Sequence, residues 1–346
     1  MISAFNPASS IKGRLLVRTS ALLLTLSGLL LLLACGGSST ATEVSATPQP
    51  PAAKTITVVG TLAGKPGALQ FNQLPVNTAA TKVTLNGKST TVATLRPGVV
   101  LFGKGTKDSG GITLQTAEVT KELKGPIASI DAIAGTLKVL DTTVTVNADT
   151  RLEQENPDHT FTALTLADLA VGDVVSVFGT RQTSGDLLAT RIERELAGED
   201  GAAEVRGQAV SLDTAAKTFQ LGTYLVNYGA ATVTGNLVEG SRVELEGSLS
   251  GTTFTATRVR VEDGTEHEAE GEVELSGVLS ALDATAGTFS LLTFQVDYKG
   301  AVVKGTLAAG VSVEVEGSVS ATDPNLFIAV KVEVHSGGSE SDGAAR

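Results

Sequence analysis

One block of residues recurs three times along this chain with constant internal spacing, and it limits the possible folds more than any other feature. Each copy has an aspartate six positions after a glycine, at Gly125 and Asp131, Gly207 and Asp213, and Gly277 and Asp283. A Val-Asn or Val-Asp pair follows, at Val146-Asn147, Val226-Asn227 and Val296-Asp297. Two glycines seven positions apart come next, at Gly172 and Gly179, Gly240 and Gly247, and Gly310 and Gly317. Each copy ends in a similar triplet, at Ala189-Thr190-Arg191, Ala256-Thr257-Arg258 and Ala329-Val330-Lys331. Repetition on this scale indicates one structural unit per copy.

Apolar and charged residues alternate within each copy, as in Val243-Glu-Leu-Glu246 and Val313-Glu-Val-Glu316. This alternation predicts strands with one face in a core and the other in water. A single open sheet of so few strands would leave its edges unpaired, and closure into a barrel removes those edges. We therefore expect an all-β fold of tandem small β-barrel-like repeats, of the OB-like or SH3-like kind. One long continuous sheet or a β-solenoid is the alternative.

The spacing also predicts where the repeats begin and end. We expect β-repeats over 123–196, 203–262 and 273–335, and a degenerate β-repeat over 55–122 that retains Gly60, Val76-Asn77 and Gly103. The glycines that recur in mid-strand, at Gly125, Gly207, Gly277, Gly179, Gly247 and Gly317, are expected at bulges or barrel corners. The remaining segments are a disordered linker over 36–54, an acidic linker over 263–272 and a disordered tail over 336–346.

The first 35 residues resemble a bacterial lipoprotein signal peptide. Lys12, Arg14 and Arg18 precede an apolar run over 21–34, which is shorter than the roughly 20 residues of a membrane span. The run ends in Leu32-Leu-Ala-Cys35, which resembles a lipobox. The resemblance implies cleavage before Cys35, acylation of Cys35 and attachment to the membrane through it. An uncleaved anchor with an incidental cysteine is the alternative.

The predicted address is therefore the bacterial cell envelope, with the protein lipid-anchored and facing away from the cytoplasm. The outer membrane is favoured if the organism has one, because Gly36 stands where an aspartate would resemble an inner-membrane retention signal.

The charge and the cysteine content exclude several classes of protein. Cleavage would remove three of 26 basic residues and none of the 37 acidic ones, leaving a net charge of −14. Nucleic acid is not an expected partner, because its binding requires basic residues. A disulfide scaffold is excluded, since the chain has one cysteine.

No catalytic or cofactor motif stands out in the sequence. The three histidines, His159, His267 and His335, lie outside the repeated blocks, and the Gly-x-Ser-x-Gly, His-Glu-x-x-His and Walker patterns are absent. We expect no enzyme activity and no cofactor or metal. A carboxylate-based, glycan-active enzyme is the alternative, since paired carboxylates come together only in space. The acidic linker region carries seven candidate Ca²⁺ ligands, which we interpret as a solvated linker: Glu262, Asp263, Glu266, His267, Glu268, Glu270 and Glu272.

The recurring block resembles a bacterial domain family of unknown function whose members occur in tandem in envelope lipoproteins. The resemblance is clearest over 123–195 and 203–261, good over 273–334 and poor over 55–122. It implies an envelope protein and carries no catalytic residues.

The second repeat carries an insertion. Asn147 and Gly172 are 25 positions apart, whereas the equivalent residues of the later repeats are 13 apart. We expect the insertion to project as a loop, and it is either a tolerated insertion or a partner contact made by Arg151, Glu153, Glu155, Asp158, His159 and Phe161. Together these features predict a lipid-anchored rod of β-domains that binds or spaces an envelope component, such as a protein or a polysaccharide.

Overall fold

The computed structural model describes residues 52–335 except 159, 183, 197–201, 263–268, 270 and 324. The predicted signal peptide, Cys35, most of the linker over 36–54 and the tail over 336–346 lie outside the described residues. His159 and most of the acidic linker lie outside them as well. Among the described residues, no helix has the length and apolar character needed to span a membrane.

The described elements are 29 strands and two three-residue 3₁₀ turns, and the strands form four successive barrels. The first barrel contains β1 (Lys54–Thr61), β2 (Ala63–Lys65), β3 (Ala68–Phe71), β4 (Leu74–Asn77), β5 (Lys82–Leu85), β6 (Lys88–Thr90), a 3₁₀ turn (Val92–Thr94), β7 (Val100–Asp108) and β8 (Gly111–Val119). The second contains β9 (Leu123–Asp131), β10 (Thr136–Val139), β11 (Thr142–Thr145), β12 (Arg151–Glu155), β13 (Phe161–Ala163), a 3₁₀ turn (Leu166–Asp168), β14 (Val174–Arg181) and β15 (Leu187–Arg194).

The last two barrels have the same plan with fewer elements. The third contains β16 (Ala203–Gln208), β17 (Val210–Asp213), β18 (Thr218–Leu221), β19 (Tyr224–Asn227), β20 (Thr232–Thr234), β21 (Arg242–Ser250) and β22 (Thr253–Val261). The fourth contains β23 (Glu272–Val278), β24 (Ser280–Asp283), β25 (Thr288–Leu291), β26 (Phe294–Asp297), β27 (Val302–Lys304), β28 (Ser312–Val319) and β29 (Leu326–His335).

All four barrels share one pattern of strand pairing, which the second barrel shows most simply. Strand β9 pairs at one end with β14 and at the other with β10, and the sheet continues from β10 through β11 and β15 back to β14. The pairing of β11 with β15 is parallel and the others are antiparallel. Five strands therefore close in the order 1-2-3-5-4, which is the Greek-key barrel of the OB type. The prediction of small β-barrels is confirmed.

The first strand bends sharply where it passes from one side of its barrel to the other. In the other three barrels it is divided there into two strands, at Leu62, Ala209 and Leu279, and each of these side chains is at most 1% exposed. Ile127 holds the same position in β9 and is equally buried. Because the residue at this bend is apolar and buried, the first strand can pair with strands on both sides of its barrel.

The second set of repeated glycines lies at β-bulges, as predicted. The strand register shifts at Gly179, Gly247 and Gly317. A Cβ on Gly247 would lie 2.1 Å from the carbonyl oxygen of Thr255, so no other residue fits without displacing backbone. In the first barrel the equivalent register shift lies between Lys104 and Gly105.

The first set of repeated glycines, for which a bulge or a barrel corner was predicted, lies two residues before the bend of the first strand and makes room for a neighbouring side chain. Among these, a Cβ on Gly125 would lie 2.6 Å from the side chain of Leu140, and one on Gly207 would lie 3.1 Å from Leu221. These glycines let the side chain of a neighbouring hairpin pack directly on the first strand.

Strand edges join the barrels in pairs, which contradicts the predicted rod. Strand β1 pairs in parallel with β23, so the first and fourth barrels share a 15-stranded sheet. Strand β9 pairs with β16, so the second and third barrels share a 14-stranded sheet and one apolar core. Because the last barrel returns to the first, the barrels are not a linear array.

The degenerate first repeat contacts all three of the others through three turns. Asn72 donates to Glu274 of the fourth barrel (3.2 Å), and Asn86 donates to Glu244 of the third (3.2 Å). The carbonyl of Pro97 accepts a hydrogen bond of 2.9 Å from Arg191 of the second barrel.

Candidate functional site

The inserted segment of the second barrel is a β-hairpin and not the projecting loop that we expected. Strand β12 pairs in parallel with β15, and β13 folds back antiparallel on β12. The insertion therefore extends the sheet of its own barrel, in the place that β5 and β6 occupy in the first barrel.

Glu153 and Phe161 of this hairpin face the first barrel. The Glu153 carboxylate lies 2.7 Å from both Arg96 and Arg191. Burial raises the pKa of Glu153, but the two guanidinium groups outweigh burial and hold that pKa below its ordinary value. The Arg96 guanidinium carbon lies 3.2 Å from the centre of the Phe161 ring, a cation–π contact.

The other predicted contact residues are divided between the barrel interface and the hairpin turn. Arg151 donates to the carbonyl of Gly64 in the first barrel (3.1 Å). Asp158 accepts hydrogen bonds from Thr160 within the turn, and Glu155 pairs in register with Phe161. Deleting 151–162 would remove the contacts with the first barrel, so that deletion should destabilise the fold.

An open cleft of about 550 Å³ lies at one end of the first barrel, and the sequence did not predict it. The turns around Gly67 and Gly110 and the segment after β4 surround it. Four side chains with hydrogen-bonding groups line it: Asn77, Thr78, Asp108 and Thr113. Pro75, Val76 and Ile112 add apolar surface, and the lining contains no lysine, arginine or aromatic residue.

Thr78, which lines the cleft, stands where the third and fourth barrels have a tyrosine and the second has Ala148. Tyr228 and Tyr298 follow the same Val-Asn or Val-Asp pair, and their rings pack 5.6 Å from Phe219 and 5.5 Å from Phe289. Both phenylalanines are buried. The first barrel has Leu69 and Thr78 at these places, and Thr78 lines the cleft. Aligning the tyrosines with Thr78 is the signal that could have revealed the cleft.

A smaller cavity of about 240 Å³ lies between the first and third barrels and contains two carboxylates, those of Glu204 and Glu244. Glu204 lies 2.9 Å from Lys121, and Glu244 lies 2.9 Å from Arg260. Since both carboxylates are ion-paired, this cavity serves to join the barrels.

Only the ends of the predicted acidic cluster are among the described residues. Glu262 pairs with Arg206 and Arg242, and although burial raises its pKa these arginines hold it below the ordinary value. Glu272 lies 3.8 Å from Lys54. Asp263, Glu266, His267, Glu268 and Glu270 lie outside the described residues, and the residues that are described contain no group of ligands able to hold a metal ion.

Comparison with known families agrees with the repeats seen in sequence and structure. No curated protein matches the chain. Residues 124–193 and 197–260 each match a family described as Domain of unknown function (DUF5666). The second and third barrels are thus matched as two tandem copies of this domain of unknown function.

Proposed function

We propose that this protein is a lipid-anchored, non-enzymatic binding module of the bacterial cell envelope, and that the cleft of the first barrel binds an uncharged glycan. The observation that carries the proposal is the chemistry of the cleft lining. Cys35 and the apolar run before it support the anchor and the address.

The lining offers what a sugar ring requires. Asp108 supplies an oxygen acceptor for sugar hydroxyls, and the hydroxyls of Thr78 and Thr113 both donate and accept. The Asn77 side chain offers its amide N–H groups, since its Oδ1 accepts a hydrogen bond of 3.1 Å from the Ala79 amide. The ring of Pro75 supplies apolar surface for the C–H groups of a sugar. An anionic ligand is disfavoured, because no basic residue lines the cleft and the mature chain is acidic. Loops of OB-type barrels are used for oligosaccharide binding in other proteins, which is an analogy of fold alone.

A binding role suits the cleft better than hydrolysis. Glycosidases ordinarily use two carboxyl groups on opposite sides of the bond that they cleave. The cleft lining holds one, Asp108, and its Oδ1 accepts a hydrogen bond of 2.7 Å from the Gly110 amide. The enzyme alternative would need a second carboxylate supplied from elsewhere.

Filling the cleft tests the proposal. Thr78→Tyr would place in the first barrel the side chain that fills the third and fourth, and Ala148→Tyr is the matched control at the equivalent position of the second barrel. Titration calorimetry with the tetramer of N-acetylglucosamine should show binding to the wild type and to the control, and at least tenfold weaker binding to Thr78→Tyr. Equal binding by all three would place the glycan outside the cleft, and no binding by the wild type would refute this ligand. Release of shorter sugars would favour the enzyme alternative.

The anchor has its own test. Cys35→Ser should abolish incorporation of labelled palmitate and cleavage of the first 34 residues. Labelled fatty acid in that variant would contradict the lipoprotein assignment.

A further inference from the structure

The four barrels differ in how they cover one edge of their sheets. In each barrel a short strand lies beside the last strand: β5, β12, β20 and β27. In the first two barrels a further antiparallel strand, β6 or β13, covers the outer edge of that short strand. Among the described residues, β20 and β27 pair only with β22 and β29. The outer edges of these two strands therefore carry backbone groups available for pairing.

The surface around β27 is more apolar than the surface around β20, although the central valines Val303 and Val233 are about equally exposed, at 38% and 39%. Val302 and Val330 are 64% and 60% exposed, and Ile328 is 40% exposed. The register places threonines at the equivalent positions of the third barrel, Thr232, Thr257 and Thr255. Exposed apolar side chains beside an open strand edge are the features that favour strand addition.

We propose that β27 is a self-association site, at which two copies of this chain pair antiparallel, edge to edge. Antiparallel pairing of identical strands is isologous, with Val303 opposite its own copy and Val302 opposite Lys304 of the second copy. Lys304 lies 3.6 Å from Glu333, so its charge is balanced and its aliphatic stem can lie on the valine.

The chain's own architecture favours a second copy as the occupant. The protein already joins barrels through strand edges, at β1 with β23 and at β9 with β16. It also covers the equivalent edges of its first two barrels with antiparallel strands of only three residues, β6 and β13. A three-residue pairing buries less than the roughly 1,200 Å² of a stable interface, so the dimer is expected to be weak.

Disulfide capture detects such a dimer. The full chain with Val303→Cys, in detergent and under mild oxidation, should form a disulfide-linked dimer, because directly opposite Cβ atoms lie about 4.5–5.5 Å apart. Val233→Cys in β20 is the matched control, and the wild type measures any background from Cys35. We expect at least fivefold more dimer for Val303→Cys than for either.

A second substitution tests whether the exposed apolar surface is needed for the dimer, and not only whether two cysteines can approach each other. Adding Val302→Lys to Val303→Cys should reduce the dimer to background, whereas adding Thr232→Lys should leave it unchanged. The proposal would be overturned if Val303→Cys and Val233→Cys gave equal amounts of disulfide-linked dimer, or if the dimer persisted after Val302→Lys was added. Linkage to a protein of different mass, without a dimer, would assign the edge to another partner. None of these results depends on the proposed glycan cleft.

Discussion

Replacing Arg191 by alanine tests whether the second barrel is held to the first by a buried guanidinium group. Arg191, Arg258 and Lys331 occupy the same place in the repeated triplet, yet only Arg191 is fully buried. Its side chain pairs with Glu153 and Glu193 and donates to the carbonyl of Pro97. The Arg258 side chain is 27% exposed and pairs with Glu246.

The two sites should differ several-fold in their effect on stability. Arg191→Ala leaves the carboxylate of Glu153 beside only one cation and the carbonyl of Pro97 without this donor, and breaking a buried ion pair costs about 3–5 kcal/mol. Arg258→Ala breaks a partly exposed pair that is worth about 0–1 kcal/mol. A difference of about 3 kcal/mol corresponds to a gap of about 5 °C in Tm, because a protein of about 300 ordered residues has an unfolding entropy of about 0.6 kcal/mol/K.

Urea and thermal unfolding followed by far-UV circular dichroism measure both losses, and Arg258→Ala serves as the matched control. Hydrogen exchange gives a local check, because the amides of Gly98 and Val99 lie in the loop that Arg191 holds and should exchange faster in Arg191→Ala alone. Equal losses of stability in the two variants, with unchanged exchange in that loop, would refute the reasoning.

Two further predictions concern the bulges and the dependence on pH. Gly247→Ala should destabilise the protein by about 3 kcal/mol or more, because the new Cβ would lie 2.1 Å from a backbone oxygen, whereas Gly300→Ala, which meets nothing within 4 Å, should be nearly neutral in the same urea titration. The folded-state pKa of Glu153 is lowered, so its contribution to stability is present above the ordinary pKa of about 4.3 and is lost as pH falls through the folded value. The wild type should therefore exceed Glu153→Gln in urea midpoint at pH 7, and the gap should narrow below about pH 4; a gap that widened in acid would contradict this assignment.

The fold was predictable in its local parts. Alternation such as Val243-Glu-Leu-Glu246 indicates which residues face the core of their own barrel, and the strand pattern follows from it. The prediction that the charged face lies in water was wrong for Glu244, which is 2% exposed because it contacts Asn86 of the first barrel. The bulge glycines were predictable for a similar reason, since a Cβ at Gly179, Gly247 or Gly317 would strike the adjacent strand of the same barrel.

The site was less predictable than the fold. The insertion was visible as a change in spacing, but its pairing with β15 and its contact with Arg96 depend on strands and barrels far along the chain. The cleft beside Thr78 required knowing that the equivalent tyrosines fill their barrels.

What the sequence by itself determined is the number of repeats, their strands and their bulges, because these depend on residues close together in one barrel. Only the tertiary structure decided which barrels pair, why the degenerate repeat contacts the other three, and why the arginine of one triplet is buried while that of the next is partly exposed. Arg191 and Arg258 share their local sequence, and their environments differ because the loop of the first barrel that carries Pro97 covers Arg191. The repeat pattern reflects contacts within one barrel, because those contacts join residues that are close together in the chain. Contacts between barrels join residues that are far apart in the chain, so a local pattern does not predict them.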